Sequence, residues 1–151
     1  MLDMLPSEVW NEHTTFLDIS CKTGVFLVEI YKRLDKALKT IVEFEDDKVR
    51  RNHIISKQLY GLALDNNMSL MMSRRNLTGS PFSGNIKYIG ASNKSYIDII
   101  KSKNENILKD LVKEEFGQME FNVVVGNPPY NRGIDLDFVR GGGTYLTDGL
   151  V

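Results

Sequence analysis

Phe121-Asn122-Val123-Val124-Val125-Gly126-Asn127-Pro128-Pro129-Tyr130 is the stretch on which the fold turns. Its first five residues, four of them apolar and three β-branched, run straight into a Gly and then two prolines, which reads as a buried strand stopped abruptly. Two consecutive prolines can neither donate to a sheet ladder nor continue a helix interior, so the backbone after Val125 must leave the sheet as a stiff, extended loop. That loop presents Asn127 and Tyr130 at the carboxyl end of a strand. In an open α/β sheet, ligands bind in the crevice outside the strands' carboxyl ends.

Such a loop suits a planar ligand with a hydrogen-bonding edge. The side-chain oxygen of Asn127 and the carbonyl of Pro128 can accept both hydrogens of an exocyclic amine, and the ring of Tyr130 can stack on the heterocycle that carries it. A tight turn after a core strand, with a Tyr packed on it, would account for the same four residues. What favours the pocket is the Val-rich strand before the loop and a second, Gly-containing loop about a hundred residues upstream.

Outward from this stretch the chain alternates strand and helix. Residues 14–19 read as a short buried strand ending in the polar turn Ser20-Cys21-Lys22-Thr23-Gly24. From Val25 the spacing becomes helical, with Val25, Phe26, Val28, Ile30, Leu34, Ala37 and Leu38 on one side, opposite Lys32, Arg33, Asp35 and Lys36. Strand, turn and amphipathic helix make the first half of a βαβ unit. Residues 1–10 read as the end of a longer helix. A helix over 47–57 is predicted to turn Val49, His53 and Ile54 inward, with His53 a surface or capped residue. A second strand over 59–64 closes at Asp65. The next helix, capped by Asn66 or Asn67, is predicted to bury Met68, Leu70, Met71 and Met72, with Arg74 and Arg75 near its negative end. Residues 78–85 are loop, 86–89 a weak third strand, 96–100 ambiguous between strand and helix, and 106–116 a helix ended by Gly117. Residues 140–151 are expected to form an irregular tail.

A chain of 151 residues with 42% hydrophobic composition is long enough for one α/β domain burying roughly 70% of its unfolded surface. No apolar run approaches a membrane span and the N-terminus does not read as a signal peptide, so the expected location is the cytoplasm. Cys21 has no second Cys to pair with, and with His13 and His53 it makes no metal-ligand spacing. The net charge of -1 and a pI near 6.1 exclude a self-sufficient nucleic-acid binder, because phosphate neutralisation demands a basic excess. A nucleic-acid substrate would have to be held by a local basic surface or by another domain.

In a doubly wound sheet of order 3-2-1-4, the loops after the first and fourth strands flank one crevice. The pair of segments from Phe16 through Asp18, Ser20, Cys21 and Gly24 to Leu27, and from Val125 to Tyr130, resembles the first and fourth motifs of S-adenosylmethionine-dependent adenine-N6 DNA methyltransferases. It is most similar to the methylase part of large restriction-modification enzymes. The resemblance implies a Rossmann-like methyltransferase sheet over residues 1–139. It also implies a site for the methionine tail of S-adenosylmethionine at Asp18, Ser20, Cys21 and Gly24, with Phe26 lining the pocket and Asp65 holding the ribose. Asn127, Pro128, Pro129 and Tyr130 would then receive an adenine flipped out of duplex DNA, with no metal required.

Two positions of the first loop depart from the family pattern: Lys22 stands where a second Gly is usual, and Ile19 where a Pro is frequent. The family's second-strand acid usually sits where Ala63 is, leaving Asp65 as its substitute. The resemblance also calls for further strands after the fourth and a target-recognition domain, so the chain is expected to be part of a larger enzyme, inactive alone. Its partners would be DNA, a restriction subunit or the rest of the enzyme, with no membrane. An open fourth-strand edge is expected to promote self-association. The alternatives are methyl transfer to a glutamine carboxamide or an RNA base, or a non-catalytic remnant serving as an interaction module.

Overall fold

In the computed structural model, which describes residues 2–63, 67–88, 105–117 and 120–127, the β-rich segments form four strands. β1 (Phe16–Asp18), β2 (Leu59–Ala63), β3 (Asn85–Tyr88) and β4 (Val123–Val125) lie side by side in the order β3-β2-β1-β4, every pairing parallel. This is the 3-2-1-4 arrangement expected from the sequence. Phe16 lies between Leu59 and Val123, and Asp18 between Gly61 and Val125, so the central strand is paired along its full length on both sides.

Both faces of the sheet are covered, and the residues of β1, β2 and β4 are buried almost throughout, whereas the edge strand β3, Asn-Ile-Lys-Tyr, is mostly part-buried. One layer holds α1 (Val25–Leu38) and α3 (Asn67–Thr78), packed on Phe16, Leu59, Ile86, Val123 and Val125, with α2 (Asp47–His53) packed against α1. On the opposite face α4 (Glu105–Phe116) packs Leu111 and Val112 on Leu17, Leu62 and Val124. Tyr60, Phe116 and Phe121 close that second layer in an edge-to-face trio with centroids 5.1–6.1 Å apart. Gly117, at φ 71°, ends α4 in the left-handed conformation expected of it.

Several inward faces differ from the sequence reading. In α1 the buried stripe is Leu27, Ile30, Leu34 and Leu38, while Val25 is 70% exposed. The i, i+3, i+7 row that meets the sheet begins two residues later than the apolar run does. In α3 the buried residues are Ser73 and Leu77, and Met68, Met71 and Met72 face outward. The cause is proximity: α3 lies against Gly24 so closely that a small side chain must stand at the contact.

α2 stops at His53 and continues as a π-helical turn, Ile54–Gln58, into β2. Val49 is exposed, and the buried residue is Arg50, held by Asp35 and Asp47 and by the carbonyls of Phe44 and Glu45. The acidic run before it supplies the cap: the Asp46 carboxylate accepts from the N–H groups of Lys48 and Val49. His53 is part-buried, its Nε2 2.9 Å from the Glu12 carbonyl and its ring 4.5 Å from Phe44.

Residues 2–10 are two separate 3₁₀ turns, Leu2–Met4 and Ser7–Val9, instead of the end of a longer helix. Pro6 stands between them, with no N–H to donate and a ring that keeps its predecessor out of the helical region. The segment is fastened by Trp10, which stacks on Phe16 at 5.5 Å and carries the Arg33 guanidinium over its ring, 5.4 Å from the centroid. Among the described residues no helix is long and apolar enough to cross a membrane.

Candidate functional site

Strand order places the loops after β1 and β4 side by side, and three contacts clasp them. The Ile19 N–H donates to the Val125 carbonyl at 3.0 Å, a bond that a proline at 19 could not make. The Ile19 side chain covers Gly126 so tightly that a Cβ there would stand 2.6 Å from Ile19 Cγ1. The Ser20 hydroxyl donates to the Asn127 carbonyl at 3.2 Å. At the other end of the same strand pair, Asn122 Oδ1 accepts from both the backbone and the hydroxyl of Thr15, and the Asn122 N–H returns a bond to the Thr15 hydroxyl.

Asp18, at the carboxyl end of the central strand, is fully buried. Its Oδ1 accepts the Ser20 N–H at 3.0 Å, while Oδ2 is buried with no hydrogen-bond partner among the described residues. Burial pushes the carboxyl up to about 7, against the opposing pull of the Ser20 N–H and the Lys22 ammonium. A buried carboxylate with one free oxygen is a ready acceptor for a cationic donor.

The chain then crosses the end of the sheet, the Cys21 N–H donating to the Leu62 carbonyl at 3.0 Å, and Cys21 is itself buried. Lys22 is exposed and takes φ 42°, in the left-handed region that disfavours a side chain. Gly24 sits at φ 81°, and a Cβ there would lie 3.1 Å from Ser73 of α3. Asn76 of α3 secures the turn by donating to the Thr23 carbonyl at 2.9 Å. α1 begins next without a side-chain cap, leaving its first-turn N–H groups for an anion. Phe26, in that first turn, is part-buried and lines a groove of about 620 Å³ along the flank of α1 with Leu2, Lys32, Arg33 and Asn76.

Asp18, Ser20, Cys21, Gly24 and Asn127 therefore gather at one end of the sheet, with Phe26 beside them. Asn127 is exposed there. Asp65, Pro128, Pro129 and Tyr130 lie outside the described residues. The sequence reading gave no positioning role to Ser73, Asn76 or the Thr15–Asn122 pair; for the first two the local signal was a small and a polar residue on an otherwise Met-rich helix.

Residues 57–141, more than half of the chain, match the family described as Eco57I restriction-modification methylase. The chain belongs to this family. It is also 30% identical over 185 residues to an "Uncharacterized adenine-specific methylase" of Mycoplasma pneumoniae (strain ATCC 29342 / M129 / Subtype 1), a match covering 86% of this chain and 43% of that protein. The chain thus spans less than half the length of this relative.

Two substitutions test how this methylase-family loop pair is built. Lys22→Gly should stabilise the fold by about 0.5–1 kcal/mol, because it removes left-handed strain at an exposed residue and gives part of that back in unfolded-chain entropy. A melting temperature equal to or below wild type would show that the lysine side chain makes a compensating contact. Gly126→Ala should destabilise by about 1–3 kcal/mol through overpacking against Ile19, whose β-branched side chain cannot swing aside. Adding Ile19→Ala should recover part of the loss, and strict additivity in urea unfolding would argue against the contact.

Proposed function

We propose that this chain carries the cofactor and acceptor loops of an enzyme that transfers a methyl group from S-adenosylmethionine to N6 of adenine in DNA, within a restriction-modification system in the cytoplasm. The observation that carries this reading is the clasp that brings the Asp18–Gly24 loop against Asn127 at the carboxyl end of the sheet. The description of the Mycoplasma relative as adenine-specific favours adenine over a glutamine carboxamide, and the family's description as a restriction-modification methylase favours DNA over RNA.

The residues present fit the cofactor's amino-acid end. The unpartnered Oδ2 of Asp18 suits its ammonium, and the uncapped start of α1 suits its carboxylate. Phe26 would line the adenosine pocket and Asp65 would hold the ribose hydroxyls. When bound, the cofactor supplies an electrophilic methyl on a sulfonium. The chain's own task is to present the acceptor: the Asn127 carboxamide oxygen and the Pro128 carbonyl accept the two N6 hydrogens, aiming the nitrogen lone pair, while Tyr130 stacks on the ring and Pro129 stiffens the loop. An amine inside a duplex is out of reach, so the adenine must be flipped out of the stack.

Calorimetric titration with S-adenosylmethionine and with its demethylated product tests the reading. Saturable one-to-one binding, weakened about tenfold or more by Asp18→Ala, is expected. Absence of heat with both ligands, in a chain shown to be folded, would remove this chain from the cofactor-binding enzymes.

A further inference from the structure

We infer that Ser20 is a positioning residue for Asn127, and that its hydroxyl serves the acceptor loop and not the cofactor. Ser20 is buried and bonded in two directions: its N–H donates to Asp18 Oδ1, and its hydroxyl donates to the Asn127 carbonyl 107 residues away. That hydroxyl proton is thereby committed. Among the described residues the bond to Ser20 is the one hydrogen bond that Asn127 makes.

The chemistry of the next residue gives this bond its weight. Pro128 has no N–H, so the Asn127 carbonyl is the polar handle by which the peptide plane between 127 and 128 can be held. Proline also restricts its predecessor to extended backbone, leaving the direction of that carbonyl as the remaining freedom. With the plane held by Ser20 and Gly126 pinned beneath Ile19, the Asn127 side chain departs from a fixed Cα, and its amide oxygen is aimed by two side-chain dihedrals alone. Losing the hydroxyl should let the carboxamide swing without touching the Asp18 carboxyl, whose bond comes from the Ser20 backbone. The role given to the aimed carboxamide rests on the proposed function; the coupling between the two residues does not.

The test is a nitrogen-15 spectrum of the full chain, with the Asn127 side-chain amide pair assigned by its disappearance in Asn127→Asp, alongside calorimetry with S-adenosylhomocysteine. In Ser20→Ala the Asn127 pair is expected to move to the position of a freely rotating asparagine, with affinity for S-adenosylhomocysteine within about twofold of wild type. Ser20→Thr, which keeps the hydroxyl, should restore the wild-type position of the pair. If Ser20→Ala does not fold, Ser20→Cys, with a weak donor of similar size, takes its place in the comparison. An unmoved Asn127 pair overturns the inference, and so does a loss of affinity of about tenfold or more, which would make Ser20 a cofactor ligand. Failure of the wild-type chain to bind S-adenosylhomocysteine would count against the proposed function instead, and the amide comparison would still decide the coupling.

Discussion

Asn127→Ala is expected to lower methyl transfer by roughly 10³-fold or more, in whatever form of the enzyme turns over, while cofactor affinity stays within about twofold of wild type. Asn127 is exposed at the carboxyl end of β4, across the clasp from the buried Asp18. Its backbone is held by Ser20, so the substitution removes the carboxamide and leaves the loop in place. An acceptor amine that has lost one of two aligned hydrogen-bond acceptors is both less electron-rich and worse aimed, and the two losses multiply. Single-turnover rates with saturating cofactor, measured beside calorimetric affinities, separate this from a binding defect. Turnover at the wild-type rate would show that the loop is not where the acceptor sits.

Asp18→Asn should have opposite effects on folding and on binding. The folded carboxyl titrates near 7 and its ordinary value is 3.8, so below about pH 4 both folded and unfolded chains carry the proton. Between those values the unfolded chain has released it and the folded chain has not. Stability present at acid pH is therefore lost as pH rises through 7, by up to about 4 kcal/mol on the linkage relation. An amide at position 18 cannot ionise, so its advantage over wild type should be small near pH 4.5 and grow to about 2–4 kcal/mol at pH 8. The same substitution removes the anionic partner for a cofactor ammonium, and affinity should fall by about tenfold to a hundredfold. Urea unfolding at the two pH values checks the first part; a constant difference between mutant and wild type would mean that Asp18 is not held protonated by burial.

Much of this architecture was legible locally. Short apolar runs ended by polar or turn residues marked β1, β2 and β4, the last of them all β-branched and followed by Gly and Pro, and Gly117 marked the end of α4, because those signals are local. The order 3-2-1-4 was that of a doubly wound sheet, which made the two loops flanks of one crevice, and Lys22 was conspicuous as a side chain where the resemblance calls for glycine. What could not be read was which side of each helix faces in. Val25 was taken for core where Leu27 is, and Met68, Met71 and Met72 where Ser73 and Leu77 are, since those choices depend on how closely α3 approaches Gly24. Arg50 escaped notice for a related reason: a charged residue goes inside only with partners, and Asp35 is one that sequence spacing does not announce. In the candidate site, Asp18 was recognisable as a residue but its burial and free oxygen were not. The bond from Ser20 to Asn127 was not legible either, because nothing near Ser20 in the chain points to a residue 107 positions away.

The clasp joins residues 107 apart, and that separation bears on how the family can vary. Chain-closure entropy grows only with the logarithm of length, so doubling the intervening segment would cost the contact about 0.6 kcal/mol. Insertions between the two loops are thus nearly free as far as the crevice is concerned, provided β1 and β4 remain neighbours. Sequence drift in such enzymes should accumulate between the loops as changes of length, and within them only as changes that keep the Ser20–Asn127 bond.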